Sequence, residues 1–186
     1  MHAARHRALR ELGAFTRQLA DHWEALAGRL EDVPAAAKAL RAGAAAANEL
    51  LPEVQRLAAA RDLPVGKLAV GVAGRTARAR PPVPDAVLEA NQALRFALLD
   101  AEHVVTLCEY IGALSAAEAD AEMVTAAAQW ATSIRTPARA ARRAAIALGK
   151  DPDRAIEPLS LGAKLGYAIG WFGEATDRLS GRRARR

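Results

Sequence analysis

The residues best suited to chemistry are two histidines and three acids on two predicted helices. Asp100 and His103 are three positions apart, so they share one helix face, and Glu102 lies next to them. His22 and Glu24, in the first predicted helix, would add a second imidazole and a further carboxylate. Together these side chains are of the types that bind a divalent metal. Alternatively, Asp100 and His103 satisfy each other through a local hydrogen bond beside the core.

Other kinds of chemistry have less support in the sequence. Cys108 lies in an apolar row of a predicted helix, where a cysteine acts as a small hydrophobic residue. The glycines at 66, 71 and 74 do not match the spacing of phosphate-binding loops. We therefore predict no catalytic residue and identify no small-molecule substrate.

The composition limits the class of protein. The chain has 186 residues, one cysteine and 52% hydrophobic residues, and 48 of its residues are alanine. A single cysteine excludes a disulfide scaffold, and the hydrophobic content excludes a disordered chain. Transmembrane helices need about 20 uninterrupted apolar residues, which the sequence lacks. Because the first residues do not resemble a secretory signal, we expect a soluble, cytoplasmic protein.

Positive charge is concentrated at the margins of the sequence. The net charge is +5, yet residues 85–122 contain eight acids and a single basic residue, Arg95. Four arginines recur at helical spacing further on, at Arg135, Arg139, Arg142 and Arg143. Such a stripe could contact phosphates, with the basic tail 181–186 as a disordered extension. No aromatic residue alternates with these arginines, so any nucleic-acid binding is expected to be nonspecific.

The apolar periodicity predicts four long helices. The first covers residues 4–32, and the second begins at Pro34 and runs to about residue 61, with a kink or break at Pro52. A connection over 62–84, rich in proline and glycine, precedes a third helix over 85–114. Ser115 and Glu118 form a capping-box pattern that starts the fourth helix, which ends near residue 148. Pro137 predicts a kink or restart within it.

A separate segment follows the predicted helical domain of residues 1–150. Within 151–180, Gly162, Gly166, Gly170 and Gly173 line one face of a predicted C-terminal helix. Glycines at this spacing let another helix approach closely. We expect this helix to dock on the bundle or on a second subunit, with an anionic membrane surface as the alternative.

The third predicted helix carries a family resemblance. Its sequence, DAVLEANQALRFALLDAEHVVTLCEYIGAL, resembles the third helix of the small bacterial ferritin-like proteins of the YciF type. The resemblance implies an antiparallel ferritin-like four-helix bundle with a long crossover between helices 2 and 3. The di-metal site of that superfamily uses Glu-x-x-His motifs, and this sequence has none. Glu49, for example, is followed three residues later by Pro52.

These observations predict an all-α, ferritin-like bundle without a complete di-metal site. We expect a non-catalytic structural or interaction role, with no cofactor and with self-association through alanine and glycine faces. Short alanine side chains bring helices close together, which leaves little room for a ligand cavity. Two alternatives remain: an atypical metal site around Asp100 and His103, and association with nucleic acid or a membrane surface through the arginine stripe, C-terminal helix and tail.

Overall fold

In a computed structural model of the chain, the residues that the structure describes form four long helices and one short helix. The structure describes residues 2–63 and 88–159. Within these ranges there is no strand, only an isolated bridge between Glu89 and Pro158. The predicted all-α class is confirmed. The helices are α1 (Ala3–Arg29), α2 (Pro34–Ala59), α3 (Ala90–Ala117), α4 (Ala121–Leu148) and α5 (Pro152–Ala155).

Helix α1 packs between α2 and α3. The short connection after Arg29 reverses the chain, and Pro34 occupies the first turn of α2 as the sequence predicts. Trp23, near the end of α1, contacts Ala97 near the start of α3, whereas Arg5 contacts the end of α3. Both α2 and α3 therefore run antiparallel to α1.

Helix α4 completes the set by packing against α2 and α3. Its indole at Trp130 donates a 2.9 Å hydrogen bond to Glu53 of α2. Near the C-terminal end of α4, the backbone carbonyl of Ala145 accepts a 2.8 Å hydrogen bond from the side-chain amide of Asn91 on α3. Helix α4 is antiparallel to both neighbours, so the four long helices enclose one hydrophobic core.

Much of the alanine excess lies inside this core. Ala44, Ala47, Ala127 and Ala141 are at most 2% exposed. These side chains pack helix against helix within the chain itself. The larger side chains that are fully buried come from all four long helices and from the residue that follows α1: Trp23, Leu9, Leu12, Leu19, Leu26, Leu30, Leu40, Leu57, Leu94, Ile111, Met123 and Ile134.

The two internal prolines do not end their helices. Helix α2 continues across Pro52 and α4 continues across Pro137, which contradicts the break and the restart; the kinks that the sequence equally allows stay predictions. Buried side chains flank both prolines, for example Leu50 and Val54 in α2. Burial of apolar surface on both sides outweighs the one backbone hydrogen bond that each proline removes.

The turn between α3 and α4 differs from the predicted capping box. Ser115 is fully buried inside α3, which extends to Ala117. Asp120 caps α4 instead, accepting a 3.2 Å hydrogen bond from the backbone amide of Met123. Ala119 turns the chain with φ at 56°, in the left-handed region. The predicted start at Ser115 is therefore wrong, because a second capping residue lies closer to the first apolar residue of α4.

Helix α3 also starts later than predicted, at Ala90. Two backbone hydrogen bonds hold the segment after α5 against this start: Ala90 donates to Glu157 at 3.0 Å, and Leu159 donates to Leu88 at 3.2 Å. The predicted connection over 62–84 lies almost wholly outside the described residues, as does most of the predicted segment 151–180. The division into domains stays a prediction. None of the described helices is long and apolar enough to cross a membrane.

Candidate functional site

Three of the five predicted metal-ligand residues, His22, Asp100 and His103, lie along the contact between α1 and α3. His22 Nδ1 of α1 lies 2.8 Å from Asp100 Oδ2 of α3. The side chains are 19% and 11% exposed, so both are largely withdrawn from water. The structure thus brings together two of the predicted residues from different helices. A carboxylate paired with an imidazole at this distance is a charge-assisted hydrogen bond when the ring is protonated.

His103 does not share the partner of Asp100. Its Nε2 atom lies 3.4 Å from Glu11 Oε1, an ion-pair distance without hydrogen-bond geometry. Its ring packs edge-on against Phe15, with centroids 4.3 Å apart and planes at 71°. The described interactions therefore include no local hydrogen bond between Asp100 and His103. Each of these two side chains faces its own residue on α1.

We use "α1–α3 seam" for the polar row formed by Glu11, Gln18, His22, Asp100 and His103. The α1 members recur at spacings of seven and four residues, which places them on one face of α1. Gln18 Oε1 and His103 Nε2 are buried and have no hydrogen-bond partner among the described residues. Buried polar atoms of this kind usually bind water or another polar group.

Glu24 and Glu102 lie apart from the seam's close contacts. Both are exposed, and neither makes an ion pair with the described residues. Within residues 2–63 and 88–159, no three His, Cys, Asp or Glu side chains are grouped so that they could hold a metal ion. The five predicted ligands therefore divide into one close pair, one separate histidine and two solvent-facing carboxylates.

Directly beside the seam, Trp23 fills the space between three helices. Its ring is fully buried, and Nε1 donates a 3.1 Å hydrogen bond to the carbonyl of Ala97. The ring lies against Gly43 of α2, where an added Cβ would come within 2.1 Å of Cζ3. Only glycine lets the backbone of α2 approach the indole this closely.

A larger polar cluster, which the sequence did not predict, joins the opposite end of the helices. We call it the charged end cluster; its members are Arg5, Arg61, Ser115, Glu118, Asp120 and Glu122. Arg61 makes two hydrogen bonds to the carboxylate of Asp120, at 2.7 and 2.8 Å. Arg5, only 4% exposed, bonds the same carboxylate at 2.7 Å. Asp120 thus links the ends of α1, α2 and α4.

The remaining contacts complete the charged end cluster. Arg5 also pairs with Glu118 at 3.0 Å and donates to the Ser115 hydroxyl at 3.3 Å. Arg61 reaches Glu122 at 3.0 Å. Two arginines thereby face three acids, which offsets the cost of withdrawing these charges from water.

The electrostatic effect of the charged end cluster appears in two pKa values. Hydrogen bonds from Arg61 hold the pKa of Asp120 well below its usual range. Hydrogen bonds to Asp120 raise the pKa of Arg61 further above its ordinary value. Both shifts favour the charged forms, so Asp120 and Arg61 form an ion pair in the folded protein. Its acids were visible in the sequence, but nothing there indicated that Arg5 and Arg61 meet them.

The predicted arginine stripe divides into two parts. Arg135 pairs with Glu109 of α3 and is therefore partly neutralised. Arg139, Arg142 and Arg143 are exposed and make no ion pair within the described part of the chain. Three of the four predicted guanidinium groups thus face solvent on α4.

Cys108 is fully buried, and burial raises the pKa of its thiol to about 12. A thiol in this state is protonated at neutral pH and is a poor nucleophile, in line with its predicted packing role. The predicted packing glycines Gly162, Gly166, Gly170 and Gly173 and the tail 181–186 lie outside the described residues.

Comparison with known proteins gives no relative from which a function could be transferred: no protein-family model, curated protein or solved structure matches this chain.

Proposed function

We propose that the chain is a non-catalytic helical-bundle protein of ferritin-like arrangement, which acts through self-association and lacks a complete di-metal site. The observation that carries the proposal is the direct contact of His22 with Asp100. In this contact two of the potential ligands bond directly to each other. His103, the next potential ligand, contacts Glu11 and Phe15 instead.

The helix directions support the ferritin-like part of the proposal. Helices α2 and α3 are each antiparallel to α1, so the end of α2 and the start of α3 lie at opposite ends of the helices. A ferritin-like bundle has one such long crossover, between its second and third helices. An extended chain spans about 3.3 Å per residue, so the segment between Leu63 and Leu88 is long enough for such a crossover.

Metal titration of the purified chain tests the absence of a di-metal site. Prepared without chelators and titrated calorimetrically with Fe²⁺, Mn²⁺ or Zn²⁺, the protein is expected to show no stoichiometric binding tighter than about 10 μM. The physical reason is that the predicted ligands do not converge. Stoichiometric binding lost in both His22→Gln and His103→Gln, but retained in His2→Gln at the exposed N-terminus, would establish the alternative metal site and contradict the proposal.

A second candidate function, nonspecific association with nucleic acid, is favoured by the three exposed arginines of α4. We expect weak binding to duplex DNA at low salt, because each phosphate contact releases counterions. The triple variant Arg139→Gln/Arg142→Gln/Arg143→Gln should reduce the slope of log K against log salt by about 2–3. Arg135→Gln is the control, since that guanidinium is already paired with Glu109. Fluorescence anisotropy showing equal slopes for both variants would remove this candidate.

A further inference from the structure

The last turns of α4 combine exposed cations with one exposed apolar side chain. Arg139, Arg142, Arg143 and Ile146 are separated by three, four and seven residues, so they lie on one helix face. Lys150 is exposed in the turn directly after the end of α4. We call these five residues the α4 basic face.

The positive charge of the α4 basic face is not neutralised within the described part of the chain. Helix α4 contains four arginines and no acid over residues 123–148. On the neighbouring α3, Glu109 is already paired with Arg135, which precedes the face by one turn. Asp151, just after the face, accepts a hydrogen bond from the backbone amide of Arg154. The four cations of the face make no ion pair with the described residues, so their charges are available to a partner.

Ile146 gives this cationic surface an apolar centre. At 66%, it is the most exposed large apolar side chain among residues 2–63 and 88–159. It comes one turn after Arg142 and Arg143 and one turn before Lys150, so cations flank it in both directions along the chain. Burying an isoleucine side chain is favourable only where the partner is itself apolar. A partner that complements the whole face therefore offers anionic groups next to an apolar region.

We infer that the α4 basic face binds the surface of an anionic lipid bilayer, with its cations at the headgroup phosphates and Ile146 at the boundary with the acyl chains. An anionic bilayer attracts clustered lysine and arginine, and its apolar boundary lies about 5–10 Å beneath the surface. Arginine side chains are long enough to bend toward phosphates while an apolar neighbour is inserted. A nucleic-acid backbone offers phosphates and sugars, which would leave Ile146 without an apolar partner.

Cosedimentation of the full chain with lipid vesicles tests this inference, which goes beyond the proposed self-association. Vesicles of phosphatidylcholine with about 30% phosphatidylserine should bind the chain, and vesicles of phosphatidylcholine alone should not. Each basic residue near an anionic surface strengthens binding about fivefold, so Arg139→Gln/Arg142→Gln/Arg143→Gln should weaken it about 100-fold. Arg135→Gln is the matched control, because Glu109 already pairs with that guanidinium. It should change the affinity little.

A second pair of variants tests the apolar part of the contact at constant charge. Ile146→Ser should weaken vesicle binding about 10-fold, because it removes the inserted side chain and leaves every cation in place. Ile146→Leu keeps the apolar surface and should bind as the unmodified chain does. Since Ile146 is mostly exposed, neither change disturbs the core, and circular dichroism of each variant checks that the helices are retained.

The outcomes separate a lipid surface from other partners. Vesicle binding that Ile146→Ser leaves unchanged would show a contact through charge alone and would overturn the inference. Binding that survives in the triple arginine variant would assign the lipid contact to another part of the chain, with the same consequence. Binding to duplex DNA without binding to anionic vesicles would also overturn it. A monomeric chain that binds vesicles with the expected losses would contradict the proposed self-association and leave this inference standing.

Discussion

Replacing Gly43 by alanine is expected to destabilise the protein by about 3 kcal/mol, although the same change inside an ordinary helix stabilises by up to about 1 kcal/mol. The new Cβ would lie 2.1 Å from Cζ3 and 2.2 Å from Cε3 of Trp23. The indole cannot simply rotate away, because it is fully buried and bonded to the carbonyl of Ala97. Either the ring loses that hydrogen bond or α2 moves outward. Urea unfolding followed by circular dichroism measures the change.

Gly28→Ala in α1 provides the matched control for Gly43→Ala. No heavy atom lies within 4 Å of the position that its Cβ would take, so this variant should be neutral or slightly more stable. The contact itself is tested by repeating Gly43→Ala in a Trp23→Phe background. Phenylalanine lacks the ring atoms that clash, so the cost of Gly43→Ala should fall substantially there. An equal cost in both backgrounds would show that Trp23 is not the cause.

Asp120→Asn is expected to cost about 3–5 kcal/mol at neutral pH, as breaking a buried ion pair usually does. Asparagine keeps the size of the side chain, and its Oδ1 can still cap α4. Its amide nitrogen would replace Oδ2, so the variant removes the charge and also turns a donor toward the donors of Arg5 and Arg61. Arg5 would lose its shortest contact, 2.7 Å to Oδ2, and Arg61 would lose its 2.8 Å hydrogen bond to the same oxygen. Because the folded state is typically only 5–15 kcal/mol more stable than the unfolded state, this loss is large.

The lowered pKa of Asp120 gives the same variant a pH signature. A carboxyl whose pKa is lower in the folded than in the unfolded state stabilises the fold above its unfolded pKa of about 3.9. That contribution is lost as the pH falls below this value toward the lower folded pKa. The unmodified protein should therefore lose stability steeply below about pH 4, and Asp120→Asn should lose it less steeply.

Glu31→Gln tests whether the effect of Asp120→Asn depends on the burial of the ion pair. Glu31 accepts a hydrogen bond from Arg41 at 2.8 Å, similar to the contacts of Asp120, but its side chain is 70% exposed. Exposed pairs contribute about 0–1 kcal/mol, so this variant should have little effect at any pH. If Asp120→Asn were equally mild in thermal unfolding, the charged end cluster would be a surface feature without a structural role.

Local sequence patterns predicted the helices, because apolar spacing and Pro34 act within one segment. They failed where two signals competed: Ser115 with Glu118 matched a capping box, but burial of Ser115 kept it inside α3. At Pro52, where the sequence allows either a kink or a break, packing on both sides of the proline maintains the helix.

Contacts between distant segments explain the remaining differences. His22 and Asp100 were both among the predicted ligands, yet their pairing depends on the antiparallel contact of α1 with α3. Arg5, Arg61 and Asp120 converge only because three helix ends meet. Gly43 lies in an alanine-rich stretch, where no local pattern indicates that this position requires glycine. Its role follows from a tryptophan 20 positions earlier in another helix.

Native mass spectrometry of the full chain, purified without chelators, tests the central proposal most directly because one spectrum reports both assembly and bound metal. We predict a species at twice the chain mass of 19.7 kDa, with no added mass from metal ions. A chain observed only as a monomer, or a stoichiometric mass increment from iron, manganese or zinc, would contradict the proposal of a self-associating protein without a di-metal site.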